Sequence, residues 1–135
     1  MLAVGTKVVI KTSRGNKTAV IHSHIAKMYM RVIDCQDPYF NYKIIDMSDV
    51  VEATVAIKDI SISVFSEQRV TNCLEHIERY EKDRRPLFKG NRMSGKVSFE
   101  NAEGYFENGK LLLNNGNHRT EANRRLGRKF ITLDF

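Results

Sequence analysis

The sequence predicts an α+β fold, in which a small antiparallel β-sheet or partial barrel precedes a larger unit of mixed strands and helices. Three observations support this prediction. Four short β-prone segments lie within residues 1–47, an apolar stripe of helical spacing follows at residues 73–80, and residues 110–135 have the pattern of a strand, a tight turn, a short helix and a strand. We therefore predict a basic β-rich subdomain at residues 1–47 and a main domain at residues 51–135.

Composition and charge narrow the class of protein. The chain has 135 residues, of which 41% are hydrophobic, and a formal net charge of +6. This charge favours a nucleic acid or a nucleotide as partner. Cys35 and Cys73 form neither a disulfide framework nor a zinc motif, and no apolar run is long enough to cross a bilayer. We expect a cytoplasmic protein with reduced thiols, no metal site and no membrane segment. The composition leaves open a protein partner and the oligomeric state.

The four strands of the N-terminal part are predicted from β-branched and aromatic residues separated by turn residues. They are residues 4–10, 18–25, 28–34 and 40–45. Turn-forming residues at 13–17 predict that the first two strands pair as a hairpin. A proline turn at residues 36–39 separates the last two strands.

The same segment carries basic and aromatic side chains together. The basic ones are Lys7, Lys11, Arg14, Lys17, Lys27, Arg31 and Lys43, and the aromatic ones are Tyr29, Tyr39, Phe40 and Tyr42. Such a sheet can bind single-stranded nucleic acid through phosphate contacts and base stacking. Aromatic residues in short strands are more often core residues beneath a solvated face, and we favour that interpretation.

The main domain is predicted to begin with strands and to continue into a helix. Residues 51–57 are β-prone, and residues 57–65 continue as a strand or as a strand and a turn. A helix is predicted at residues 71–82, where apolar residues recur with helical spacing and Thr71 or Asn72 can act as the N-cap.

The stretch after this helix is predicted to be a basic loop that contains Lys89, Arg92 and Lys96, followed by a strand at residues 96–99. Residues 100–109 are predicted to be a turn or a hairpin connection. The three basic side chains are candidate contacts to a nucleic acid.

The C-terminal segment is predicted to present a helix N-terminus. A strand is predicted at residues 111–113, and the chain then reverses direction at Asn115-Gly116. A helix follows over residues 120–126, and Gly127 is placed to end it in the αL conformation. Residues 129–134 are predicted to form another strand.

The turn therefore delivers Asn117, His118 and Arg119 to the start of the helix. The first N–H groups of a helix lack intrahelical partners and attract phosphate, and His118 and Arg119 add donors there. The sequence supports equally well the interpretation that these side chains only cap or solvate a surface turn.

These residues resemble the phosphate-binding box of the ParB and sulfiredoxin superfamily. The turn Gly116-Asn117-His118-Arg119 opens a short helix that ends in Leu126-Gly127, as in that family. A strand at residues 57–62 and a polar segment that ends in Glu67-Gln68-Arg69 are similar to its upstream half. The resemblance covers residues 51–135.

The resemblance implies a fold that holds the phosphates of ATP, CTP or a related nucleotide. The implied phosphate and nucleotide ligands are Arg69, Asn115, Gly116, Asn117, His118, Arg119 and Thr120. Sulfiredoxins have a cysteine at the position of Asn117, so thiol-dependent reduction is not expected here. Partition proteins of the family carry a helix-turn-helix domain beyond this unit, whereas the sequence stops at Phe135, so sequence-specific operator binding is not expected here.

Three functions remain compatible with the resemblance. The chain could be a ParB-like nuclease, or a nucleotide-dependent phosphotransferase, with Glu67 and His118 as the catalytic candidates and Mg²⁺ as the cofactor if it is catalytic. The alternative is a non-catalytic module that binds DNA or a host protein, such as a small phage or mobile-element protein.

Overall fold

Strands dominate the structure of the chain. The computed structural model describes residues 1–34, 42–83 and 101–135, and in these ranges it shows an α+β fold, which confirms the predicted class. The strands are β1 (Lys7–Thr12), β2 (Gly15–Ala26), β3 (Tyr29–Asp34), β4 (Lys43–Ile45), β5 (Val50–Ala56), β6 (Ala102–Glu107), β7 (Lys110–Leu113) and β8 (Phe130–Asp134). The helices are α1 (Glu67–Asp83) and α2 (Asn117–Arg125).

All eight strands belong to one curled, mixed sheet with the order β4-β3-β2-β1-β5-β8-β6-β7. Neighbouring strands are antiparallel except for β6 and β8, which pair in parallel through Ala102 and Glu103. Strand β1 pairs with both β2 and β5. The strands of residues 1–47 and those of residues 51–135 thus join edge to edge in the same sheet.

The main core lies on one face of this sheet. Alternate residues of the strands are buried, as expected for a sheet with one covered face, and Val8, Ile21, Met30, Val32 and Leu133 are all at most 1% exposed. Burial of such aliphatic side chains is the main driving force for folding of a domain of this size.

A second, smaller cluster joins the two helices. It consists of Val70 and Ile77 from α1 and Ala122 from α2, with Val64, Cys73 and Leu74 packed against them. Because α1 packs directly on α2, side chains from both helices come together near the start of α2.

The predicted N-terminal strands agree with the structure in type and differ at their ends. The β1–β2 hairpin is confirmed, but β2 begins at Gly15 and runs to Ala26, because a tight turn at Ser13 and Arg14 replaces the longer predicted turn. The described part of the fourth strand covers Lys43–Ile45. The predicted proline turn at residues 36–39 lies outside the described residues.

The region before α1 differs from its prediction. Residues 57–59 form a short 3-10 turn, and beyond it Ile60 makes an isolated parallel bridge to Leu111. Helix α1 begins at Glu67 because Ser66 caps it: the Ser66 Oγ accepts a hydrogen bond from the N–H of Arg69 at 3.3 Å. The prediction of a cap at Thr71 or Asn72 was therefore wrong by one helical turn.

The segment that leads to the second helix holds one more strand than predicted. Residues 102–107 form β6, which pairs with β7 across an Asn108-Gly109 turn in which both residues have positive φ. Helix α2 begins at Asn117 rather than at residue 120, and Gly127 adopts the predicted left-handed conformation with φ +81°. The predicted strand at residues 96–99 lies outside the described residues.

Candidate functional site

The start of α2 is shaped by Gly116. This residue is the N-cap of α2 and has φ +83°, a backbone conformation that favours glycine. A Cβ at this position would lie 2.5 Å from the Cβ of Ala102 on β6, which is closer than non-bonded carbon atoms approach. Because the N-cap is a glycine, it has no side chain that could accept a hydrogen bond from the first turn of α2.

Two asparagines fix the turn to its neighbours. The Asn115 Oδ1 accepts a hydrogen bond from the N–H of Glu103 at 3.1 Å, which ties the turn to β6. The Asn117 Oδ1 accepts from the N–H of Ser63 at 3.0 Å, and its Nδ2 donates to the carbonyl of Leu113 at 3.2 Å. Since both side chains are used within the fold, their backbone N–H groups are what the turn can offer to a ligand.

His118 lies against an aromatic residue that the sequence did not single out. The Phe65 ring meets the His118 ring edge to face at 4.4 Å, and the His118 Nε2 accepts a hydrogen bond from the N–H of Phe65 at 3.4 Å. A neutral ring that accepts at Nε2 carries its proton on Nδ1, so Nδ1 is the atom that can donate to a ligand.

Phe65 also connects the two predicted halves of the site. The Arg69 guanidinium carbon lies 5.0 Å from the centroid of the Phe65 ring, within the range of a cation–π contact. Phe65 is 74% exposed, yet it contacts Arg69 on one side and His118 on the other. The signal that could have found it is an aromatic residue directly before the Ser66 cap of α1.

Arg119 and Arg69 belong to different helices, and the charges of both act on Cys73. The Arg119 guanidinium folds back towards Gly116, where one of its Nη atoms would lie 3.2 Å from a Cβ. The pKa of the half-buried Cys73 thiol is raised by its burial, and the positive charges of Arg119 and Arg69 act in the opposite direction. Cys73 is therefore within the electrostatic range of both arginines, a position that sequence reasoning missed.

Thr120 differs from its predicted role. Its side chain is fully buried, and its Oγ1 has no hydrogen-bond partner. A fully buried hydroxyl does not reach a ligand that arrives from solvent, so the structure does not present the Thr120 side chain as a phosphate ligand. Its N–H bonds to the carbonyl of Gly116 at 2.8 Å and closes the first turn of the helix.

The candidate base Glu67 is engaged in an ion-pair network between the helices. Two parallel hydrogen bonds of 2.8 and 2.9 Å join Arg125 to the Glu67 carboxylate, and Arg125 also donates to Glu121 at 3.0 Å. Arg124 completes the network with a forked pair to Glu121.

This network keeps its carboxylates ionised. The hydrogen bond from Arg125 lowers the pKa of Glu67, and that from Arg124 lowers the pKa of Glu121 to about 2. A carboxylate with a lowered pKa is a weaker proton acceptor. Glu67 thus forms an ion pair that links α1 to α2. Its surroundings do not support its predicted role as a general base.

Lys89, Arg92 and Lys96, the predicted nucleic-acid contacts, lie outside the described residues. Within residues 1–34, 42–83 and 101–135, no group of three or more His, Cys, Asp or Glu side chains is arranged to hold a metal ion. In the same ranges, no helix is long and apolar enough to cross a membrane.

Comparison of the chain with protein-family models, with curated proteins and with solved structures gives no match. The fold and the site are therefore the basis on which a function is assigned. The resemblance to the ParB and sulfiredoxin superfamily stays a prediction.

Proposed function

We propose that the chain binds a nucleotide through its phosphates at the start of α2, as the resemblance to the ParB and sulfiredoxin superfamily implies. The single observation that carries the proposal is that Phe65 contacts both Arg69 of α1 and His118 in the first turn of α2, where the Arg119 guanidinium also folds back towards the Gly116 N-cap. Two guanidinium groups and a helix N-terminus combine three features that favour phosphate.

The proposal gives each residue a role. Gly116 lets the ligand approach the backbone, and the N–H groups of Asn117 and His118 donate to phosphate oxygens. Arg69 and Arg119 neutralise the phosphate charge, and His118 adds a donor through Nδ1. Cys73 contributes to the wall between the two arginines.

Binding is better supported than catalysis. The Glu67 carboxylate is held by Arg125, and a phosphate-binding role needs no general base. Phe65 contacts both Arg69 and His118 and so positions two side chains that can donate hydrogen bonds to a phosphate. These contacts do not identify a general base.

The proposal is tested by calorimetry with ATP, CTP, GTP and UTP, on the wild type and on Arg69→Gln and Arg119→Gln. Hydrogen bonds to charged groups contribute about 1.5 to 3 kcal/mol, so each variant should bind its nucleotide roughly ten- to hundredfold more weakly. Arg79→Gln is the matched control, because Arg79 is an exposed arginine further along α1. Absence of binding by all four nucleotides, or an equal loss in the control, would contradict the proposal.

A catalytic role is the second candidate, and the observation in its favour is the His118 ring, which is fixed against Phe65 in the first turn of α2. In this role His118 would serve a nuclease or a phosphotransferase that uses Mg²⁺. Wild type and His118→Ala are compared for Mg²⁺-dependent cleavage of DNA and for nucleotide turnover. Turnover that survives the substitution unchanged would remove His118 from this role.

A further inference from the structure

A second concentration of positive charge lies far from α2 in the sequence. A cleft of about 220 Å³ opens beside the β1–β2 turn and is lined by Arg14 of that turn, Lys17 of β2 and Lys43 of β4. Thr12 and Ser13 also line it. None of the lining residues that the structure describes is acidic, and three of them are cations.

The lysines of this basic cleft are held on the core side of the sheet. Lys17 pairs directly with Ile10, and Lys43 pairs with Val32. Directly opposed residues of an antiparallel pair share a face, and Ile10 and Val32 are both buried core residues. Lys17 and Lys43 are accordingly half-buried, unlike lysines on an open surface.

Among the side chains that the structure describes, no carboxylate forms an ion pair with the cations of the basic cleft, Arg14, Lys17 and Lys43. Like charges that are partly removed from water repel one another, and an anion between them offsets both the repulsion and the loss of hydration.

The turn beneath the basic cleft is also fixed in shape. The Thr12 Oγ1 donates to the carbonyl of Gly15 at 2.6 Å and accepts a hydrogen bond from the N–H of Arg14 at 3.2 Å. The turn that carries Arg14 is therefore ordered before any ligand arrives, which lowers the entropic cost of binding.

We propose that the basic cleft binds a backbone phosphate of a single-stranded nucleic acid. Its volume is below the roughly 300 Å³ at which pockets for whole small molecules begin, so it suits a phosphate group better than an entire nucleotide. A phosphate in a polymer strand is favoured over a free phosphate because the net charge of +6 attracts a polyanion along its length. The basic cleft shares no residue with the α2 site, so each can be removed without the other.

The test measures the affinity of a short labelled single strand of DNA as a function of salt concentration by fluorescence anisotropy. Lys17→Gln/Lys43→Gln is compared with the wild type and with Lys7→Gln/Lys11→Gln. The second pair is the matched control, because it removes the same charge from exposed lysines of β1. Arg14→Gln, at an exposed turn position, gives an independent reading if the double lysine variant fails to fold.

The proposal predicts that Lys17→Gln/Lys43→Gln loses roughly 0.7 of log-log salt slope for each phosphate contact removed, and that the control keeps most of the wild-type slope. Equal losses in the two double variants would show an effect of net charge alone and would overturn the proposal. A wild-type slope in Lys17→Gln/Lys43→Gln, or in Arg14→Gln when the double variant is unfolded, would also overturn it.

A second arm separates the two sources of phosphate. Inorganic phosphate and ATP are added as competitors to the wild-type complex with DNA. The proposal predicts that neither inorganic phosphate nor ATP displaces the DNA strand when the competitor concentration is comparable to the concentration of DNA phosphates. Displacement at that concentration, or protection of the fold by inorganic phosphate without binding of DNA, would assign the basic cleft to a free anion instead.

Discussion

The α2 site and the basic cleft both concentrate positive charge, but the protein supports that charge in different ways. At the α2 site three candidate side chains have a fixed neighbour: Asn117 bonds to Ser63 and Leu113, and His118 and Arg69 both contact Phe65. In the basic cleft, Lys17 and Lys43 have no ion-pair partner among the described side chains.

This difference in how the charged side chains are held indicates which kind of ligand each site can bind. A site whose donors are fixed in direction can select one arrangement of phosphate oxygens, because less conformational entropy is lost on binding. A cluster of unpaired lysines recognises charge with little preference for geometry, and its affinity depends strongly on salt. The α2 site is thus suited to a defined nucleotide and the basic cleft to a polymer backbone.

The largest expected effect comes from filling the space at Gly116. We expect Gly127→Ala to cost about 1 to 2 kcal/mol in the free energy of unfolding, the usual cost of a left-handed residue with a Cβ. Gly116→Ala should cost about 1 to 3 kcal/mol more, because its Cβ must also displace Ala102, whereas the space around Gly127 is open.

Urea denaturation of the two variants measures this difference. Because Gly116 and Gly127 have nearly equal φ angles, the comparison isolates the contacts of the new Cβ with Ala102 and with Arg119. Equal destabilisation would show that the turn can move away from β6, and the α2 site would then be less rigid than described.

The ion-pair network predicts a loss of stability in acid. The pKa of Glu121 is lowered from its usual 4.5 to about 2 in the folded protein, chiefly by Arg124. Its contribution to stability is therefore complete above pH 4.5 and is lost as the pH falls from 4.5 towards 2. Glu121→Gln should flatten the dependence of the unfolding free energy on pH in this window.

Glu75→Gln serves as the control for this measurement, since Glu75 is an exposed carboxylate on α1. It should leave the pH dependence close to that of the wild type. Parallel pH curves for the wild type and Glu121→Gln would show that the ion pairs of Glu121 do not stabilise the fold.

A smaller effect is expected from Phe65. Phe65→Ala removes the contacts that position Arg69 and His118, and a cation–π contact at an exposed site is worth about 0.5 to 1 kcal/mol. Nucleotide affinity should fall about two- to fivefold with little change in stability. Phe130→Ala is the matched control, because Phe130 is 64% exposed on β8. If Phe65→Ala and Phe130→Ala bind the nucleotide with equal affinity, Phe65 does not contribute to the site.

Local patterns allowed much of this fold to be predicted. The β1–β2 hairpin, the position of β8 and the left-handed residues Gly116 and Gly127 follow from β-prone runs and from the conformational freedom of glycine. The start of α1 was missed because Ser66 and Thr71 are both good N-caps, and only tertiary packing of Val70 against α2 selects the earlier one.

The candidate site was only partly predictable, since sequence patterns give no distances between segments. The resemblance predicted that Arg69 and Arg119 belong to one site, and this stays a prediction. The contact of Phe65 with Arg69 and the charges that act on Cys73 depend on the packing of α1 on α2. The pairing of Glu67 with Arg125 joins residues far apart in the chain, so no local signal distinguished an inter-helix tie from a catalytic base.

The most direct test of the central claim is a titration of the ¹⁵N-labelled protein with the tightest-binding nucleotide, followed by the backbone amide signals. The claim predicts that the largest shifts fall on Gly116 to Arg119 and on Arg69, with the signals of Lys17 and Lys43 nearly unchanged. Shifts concentrated elsewhere while Gly116 to Arg119 stay fixed would contradict the claim that a phosphate binds at the start of α2.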